Sequence, residues 1–214
     1  MSASTQPAAN PIRGRLNAAI LRAADWYGNL LFGATKRALF ADLPDTVLEI
    51  GPGTGANLRY YRPGTHLIAV EPNPHMHGPL AAAARRRGIT LDLRVEGAEA
   101  IDLPDGSVDA VVSTLVLCSV PNQTAAVREN ARLLRPGGRF CFVEHVRARD
   151  HAGYHAVQRL LARPWHWFFE GCDLLRDTER ALAAGGFADV TVDRHRVCSV
   201  FVPINPQIAG VAIR

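Results

Sequence analysis

Two acids and three glycines carry the clearest chemical pattern in this chain. Glu49, Gly51, Gly53 and Gly55 fall within Thr46–Leu58, which reads TVLEIGPGTGANL, and Glu71 ends the run Leu67-Ile68-Ala69-Val70-Glu71. Glycine has no Cβ, so backbone built from it turns tightly and can lie against a ligand. A carboxylate at the tip of the following strand can accept both hydroxyls of a ribose. The pattern therefore predicts a nucleoside cofactor. Gly51, Gly53 and Ala56 also satisfy the dinucleotide fingerprint G-x-G-x-x-G/A, so the glycines alone leave two cofactor classes open.

Fewer residues suggest chemistry on a second reactant. His145 closes an apolar run, at the sheet edge where ligands of open α/β folds bind, and could act as a base or orient an acceptor. Arg176 could hold a thiolate or other anionic group. Trp26, Tyr27, Trp165 and His166 could line a pocket, with Cys118 as part of its wall. Glu144, next to His145 in a strand, should point the other way. Four widely spaced cysteines, Cys118, Cys141, Cys172 and Cys198, include no C-x-x-C pair, so neither a zinc site nor a disulfide framework is indicated. The close histidine pairs, His75/His77 and His151/His155, lack an accompanying carboxylate pattern, and no metal is expected.

Alternating apolar strands and helical stretches must position these groups. Val47–Ile50, between Pro44-Asp45 and the glycines, reads as a buried parallel strand, with a helical pattern resuming at Ala56. A second strand ends at Glu71, Pro72-Asn73-Pro74 opens a helix over 75–87, and Gly88 closes it. Strands follow at 89–95, 108–114 and 139–146, with a helix between the last two. Residues 147–175, dense in histidine, arginine and aromatics, read as a helical insertion near the acceptor. A helix at 178–185 and strands over 187–200 and 208–213 end the chain. Before the first strand, Ile12, Leu16, Ala19, Ile20, Ala23 and Tyr27 share one helical face. Gly28 interrupts it, and a second helix is expected from Leu30 to Leu43. Residues 12–43 would then pack on the sheet edge or cover cofactor and substrate as a lid through Trp26, Tyr27 and Lys36. Residues 1–11 read as a disordered tail, and residues 12–214 as one domain. The expected fold is α/β: a Rossmann-like, seven-stranded, mostly parallel sheet with an antiparallel C-terminal strand.

Further motifs turn this outline into a resemblance. Glu49-x-Gly51-x-Gly53-x-Gly55 resembles motif I of class I S-adenosylmethionine (SAM) methyltransferases, and GAEAIDLPDGSVDAVVST and LLRPGGRFCFVEHV resemble later motifs in the same order. The resemblance implies SAM as cofactor, held by Glu49, Gly51, Gly53, Gly55 and Asn57, by Glu71, Pro72, Asn73 and Met76, by Gly97, Ala98 and Glu99, and by Thr114 and Leu115. Within it, TLVLCSV, EPNPHM, GCDLLRDT and the ending PINPQIAGVAIR resemble family 7 of the animal methyltransferase-like proteins, whose members methylate small thiols. That implies a small thiol acceptor. An O-, N- or C-methyltransferase of a natural product, quinone or phospholipid headgroup is the alternative, as is a SAM-binding protein of this fold that transfers no methyl. The animal proteins carry an N-terminal hydrophobic anchor, whereas this chain opens on polar residues. Its alanine- and arginine-rich usage resembles bacterial sequences, whose relatives serve natural-product or detoxification pathways.

Composition narrows the remaining classes. The 214 residues are 48% hydrophobic and 21% charged, ordinary for a soluble globular domain. The net charge of +4 comes from arginines spread along the chain rather than from a basic block, and no nucleic-acid reading motif is present. No signal peptide or membrane span is visible, and a reducing cytoplasm is the expected location.

Overall fold

The computed structural model describes residues 11–214, with the side chains of 11–14, 17–18 and 20–24 left aside. The expected tail, apart from Pro11, lies outside the described residues, as do the side chains of Ile12, Ile20 and Ala23. One helix, α1 (Pro11–Leu39), replaces the two expected on either side of Gly28. A Cβ at Gly28 would meet nothing within 4 Å, so this glycine lies on an open face and weakens the helix without breaking it. Leu16, assigned to the inward face, is 47% exposed. The helix docks on the sheet further along, where Phe32 shares a core cluster with Val143 and Ala209, and Phe40, just past the helix end, shares another with Val47 and Leu67.

The sheet runs β1 (Thr46–Ile50), β2 (His66–Val70), β3 (Thr90–Arg94), β4 (Val108–Thr114), β5 (Leu134–His145), β6 (Asp189–Arg196) and β7 (Pro206–Ile213) in chain order. In space the order is β3-β2-β1-β4-β5-β7-β6, parallel from β3 to β5. β7 is antiparallel to both β5 and β6. The strand order reverses between β1 and β4, and ligands of open α/β sheets bind at that switch point, outside the carboxyl ends of the strands. Gly51 follows β1 there and Leu115 follows β4. β6 is shorter than the expected strand: it ends at Arg196, opposite Pro206 where β7 begins, and beyond it Ser199 N donates to the Asn205 side chain.

The helices are α2 (Pro74–Arg87), α3 (Gln123–Leu133), α4 (Ala152–Phe168) and α5 (Thr178–Ala183). Capping fixes where they begin: Asn73 accepts from His75 N, Asn122 from Ala125 N and Asp177 from Arg180 N. Beyond the glycines the expected helix shrinks to a 3-10 turn, Ala56–Tyr60. Pro63 disfavours helix at Arg62, and Tyr60 and Tyr61 turn back onto Phe40. Among the described residues no helix is long and apolar enough to cross a membrane.

Candidate active site

The carboxyl ends of β1, β2 and β4 bring together the residues expected to hold the cofactor. Gly51 and Gly53 have φ of +59° and +58°, the left-handed region that side chains rarely adopt. A Cβ on Gly51 would lie 2.6 and 2.7 Å from the two methyls of Val116, so glycine is needed for packing as well as conformation. A Cβ on Gly53 would meet nothing within 4 Å, so bare backbone faces open space. Beside it Glu71 takes hydrogen bonds from Gly53 N (3.0 Å) and Asn73 N (2.8 Å), one on each carboxylate oxygen. Burial pushes this carboxyl above its ordinary range against those two bonds. Asn73 also reaches Glu170 through its side-chain nitrogen at 3.3 Å. Met76 is buried in the first turn of α2, whereas Pro72 is exposed.

Glu49 lies deeper than the other acid. Its oxygens accept from Asn57 Nδ2 at 2.7 Å and Tyr61 Oη–H at 2.7 Å, and the residue is 1% exposed. Asn57 also donates to Thr114 Oγ1 at 2.8 Å and accepts from Lys36 Nζ at 2.8 Å. Lys36 is the single lysine of the chain. Burial pushes its amine down to about 8, with Glu49 opposing the shift. Burial raises the Glu49 carboxyl and drives the Tyr61 phenol well up. Of the expected adenine-side residues, Ala98 is buried and Glu99 accepts from Asn122 N at 3.0 Å, which ties it to the start of α3. Gly97 is partly buried beside them.

At the other end of the cleft, Leu115 turns the chain with a φ of +58° and donates its N–H to Val143 O at 2.9 Å. Glu144 holds this turn from below, accepting from Ser113 Oγ at 2.6 Å and Val116 N at 3.0 Å. Its carboxyl is pushed up to about 7 by burial. Glu144 and His145 do face opposite ways. His145 Nε2 lies 3.1 Å from Cys172 Sγ, while its Nδ1 is buried without a partner. Cys172 Sγ is also 3.4 Å from Cys118 Sγ and 3.3 Å from Trp165 Nε1. The Cys118 contact, then His145 and Trp165, hold the Cys172 thiol far below its usual range, and the same contact with burial drives Cys118 up. Burial works to lower His145, but its contact with Cys172 outweighs that and raises it.

Aromatic side chains extend from this cluster. Trp165 lies tilted against Phe169 (4.3 Å between centroids) and edge-on to Phe201 (6.3 Å), and Phe201 meets Tyr27 of α1 at 6.5 Å. Tyr27 Oη accepts from Val200 N at 3.0 Å, and Trp26 beside it is 68% exposed. Of the expected acceptor residues, Cys118, His145 and Trp165 come together, with Tyr27 further along the aromatic line. His166 is exposed and its carbonyl accepts from Gly171 N at 2.9 Å. Arg176 points elsewhere. Its guanidinium donates to Val120 O at 2.8 Å and lies 3.6 Å from Asp173, and it lines a separate groove with Arg147, Arg149, Asp177 and Arg194. The histidine pairs stay apart from the cluster: His77 meets Glu71 O, and His151 caps α4. Sequence reasoning missed Cys172, Tyr61 and the support from Glu144. For Cys172 the one available signal was its place in GCDLLRDT.

Residues 48–142 match the model of a methyltransferase domain family. Human thiol S-methyltransferase TMT1A is 36% identical over 197 residues, covering 87% of this chain and 81% of that protein. Human thiol S-methyltransferase TMT1B is 34% identical over 187 residues, covering 86% and 77%. Among solved structures, a SAM-dependent methyltransferase of Thermotoga maritima superposes with a TM-score of 0.67 at 17% identity, over 95% of this chain and 99% of that one. The [4+2]-cyclase SpnF superposes with a TM-score of 0.65 at 19% identity, over 90% and 81%. The cofactor these relationships imply is SAM, and the cleft fits it: Gly53 offers uncovered backbone, and the fixed carboxylate of Glu71 keeps acceptor capacity for a ribose. The chain belongs to the class I S-adenosylmethionine-dependent methyltransferases, in the family that contains TMT1A and TMT1B.

Proposed function

We propose that this enzyme methylates the sulfur of small thiols. The observation that carries the reading is the similarity to two thiol S-methyltransferases over more than four-fifths of the chain. The acceptor end supports it: His145 meets the Cys172 sulfur, the Trp165 indole meets the same sulfur, and Phe169 and Phe201 extend from that indole, a setting suited to a soft, apolar sulfur nucleophile. SAM supplies a methyl on a sulfonium: the thiol's proton leaves for solvent, its sulfur pair makes the new C–S bond, and the broken bond's pair stays on S-adenosylhomocysteine.

The chain's own residues hold the two reactants in line and keep water out. Glu71 takes the ribose hydroxyls, and the backbone of Gly53 lies along the cofactor. Lys36 and Asn57, braced by Glu49 and Tyr61, hold the amino-acid end, so Glu49 acts through its neighbours. Gly97, Ala98 and Met76 flank the base, and Glu99 steadies that wall. The turn at Thr114 and Leu115 separates cofactor from acceptor. His145 and Trp165 border the acceptor sulfur, Tyr27 and Trp26 of α1 form the outer lid, and Arg176 positions the Val120–Asp173 segment. Release of S-adenosylhomocysteine with alkyl and aryl thiols, against matched phenols and amines, tests the reading; turnover confined to phenols or amines overturns it.

A further inference from the structure

Cys118, His145 and Cys172 come from three separate segments: the turn after β4, the end of β5 and the turn after α4. Their Sγ and ring nitrogen atoms all lie within 4.8 Å of one another, and all three residues are buried. In a tetrahedral zinc site, with Zn–S of about 2.3 Å and Zn–N of about 2.0–2.1 Å, the ligand atoms stand roughly 3.5–3.8 Å apart. The two closest pairs here are 3.1 and 3.4 Å apart, so a few tenths of an ångström of spreading admits an ion. Backbone bonds tie the segments together: Asp173 N donates to Cys118 O at 3.0 Å, and Arg147 N, two residues past His145, donates to Arg176 O at 3.1 Å.

The ligand set is informative. Two sulfurs and an imidazole without a carboxylate suit zinc and not magnesium or calcium. Two thiolates and a neutral imidazole balance the charge of a divalent ion, leaving a neutral buried unit. No fourth histidine, cysteine or acid joins the cluster among the described residues, and three protein ligands with an open position is the layout of reactive rather than structural zinc. Trp165 Nε1, 3.3 Å from Cys172 Sγ, would be its outer-shell donor.

We propose that Cys118, His145 and Cys172 bind one Zn²⁺ ion whose fourth position takes the sulfur of the acceptor. A thiol held by such an ion gives up its proton to solvent, and its sulfur keeps a lone pair for the new bond to carbon. The chain then needs no separate base, in agreement with a His145 Nε2 already committed to the cluster. The ion site stands on geometry alone, whereas the acceptor position rests on the thiol reading above.

The test starts with the whole chain purified under reducing conditions without chelators. Zinc analysis should give about one ion per chain. His145→Ala and Cys172→Ser should bind it at least about 100-fold more weakly, more than loss of an outer-shell partner would cause. The milder Cys118→Ser, with folding confirmed by circular dichroism and SAM binding, serves if either of those fails to fold. Cys198→Ser, at an exposed thiol outside the cluster, should retain the metal. Cobalt added to chelator-treated protein should give a thiolate-to-cobalt charge-transfer band that strengthens when benzenethiol is added. The ion site is overturned if reduced wild-type protein takes up no more zinc or cobalt than Cys118→Ser, or if Cys118 and Cys172 emerge from reducing purification as a disulfide. Thiol turnover that persists in fully zinc-free protein overturns the acceptor position and leaves the thiol reading standing. Zinc uptake without turnover of any thiol supports the ion site and overturns the acceptor position together with that reading.

Discussion

Alanine at Gly53 and at Gly51 separates a glycine that serves the ligand from one that serves the fold. Both positions have φ near +60°, so alanine costs roughly 1–2 kcal/mol in backbone strain at either. At Gly51 the new methyl would also enter Val116, at 2.6 and 2.7 Å, and overpacking of that kind adds about 1–3 kcal/mol. At Gly53 it would point into space where no described atom lies within 4 Å. Gly51→Ala should therefore lose about 2–5 kcal/mol of stability and Gly53→Ala only about 1–2 kcal/mol. At roughly 2–4 °C of melting temperature per kcal/mol, thermal unfolding resolves the two. Affinity should follow the opposite logic. The Gly53→Ala methyl occupies the room we assign to the cofactor, beside an N–H that holds Glu71, so calorimetry should show SAM binding weakened at least about tenfold, or 1.4 kcal/mol. A Gly53→Ala protein that melts near wild type and binds SAM as tightly would refute the placement of the cofactor along this turn.

Three further outcomes follow from the same geometry. Glu71→Ala removes an acceptor fixed by two backbone donors; losing charged hydrogen bonds of about 1.5–3 kcal/mol should weaken SAM roughly 10- to 100-fold in calorimetry, and unchanged affinity would sink the ribose assignment. Lys36 titrates near 8 when folded and near 10.5 when unfolded, so the unfolded chain binds more protons between those values and stability rises with pH across that window. The rise should approach about 3 kcal/mol in urea titrations; it should vanish in Lys36→Met, and a wild-type profile that is flat or falling from pH 8 to 10 contradicts the buried amine. Gly210→Ala would put a methyl 2.0 Å from Thr191 O, across the β6–β7 pairing, and should unfold the C-terminal strands or prevent expression. A Gly210→Ala protein with wild-type melting temperature would show that pairing to be misplaced.

The sheet was readable because short apolar runs, glycine turns and caps act locally. Val47–Ile50 and Leu67–Val70 announced buried parallel strands, and Pro72-Asn73-Pro74 marked a helix start. Where side chains from distant segments decide, the reading failed. Gly28 looked like a helix break because its open surroundings are a tertiary fact. Ala56 looked like a helix start because nothing local says that Tyr60 and Tyr61 fold back onto α1. The acids and glycines expected to hold the cofactor lie together at the carboxyl ends of β1 and β2, yet the bracing of Glu49 by Tyr61 and Asn57 was not visible. His145, Cys118 and Trp165 were each singled out separately; Cys172, whose sulfur joins them, was given no role, since no spacing rule links residues 118, 145 and 172. Arg176 was drawn toward the acceptor by its motif, while the fold turns its guanidinium to Val120 and Asp173.

The central claim is tested most directly by mass-spectrometric detection of S-adenosylhomocysteine and methylated product, from purified enzyme, SAM and a matched panel of small thiols, phenols and amines. We predict S-methylated product and equimolar S-adenosylhomocysteine with alkyl or aryl thiols, and neither with the oxygen and nitrogen analogues. Stoichiometric SAM binding without methylation of any thiol would contradict the account.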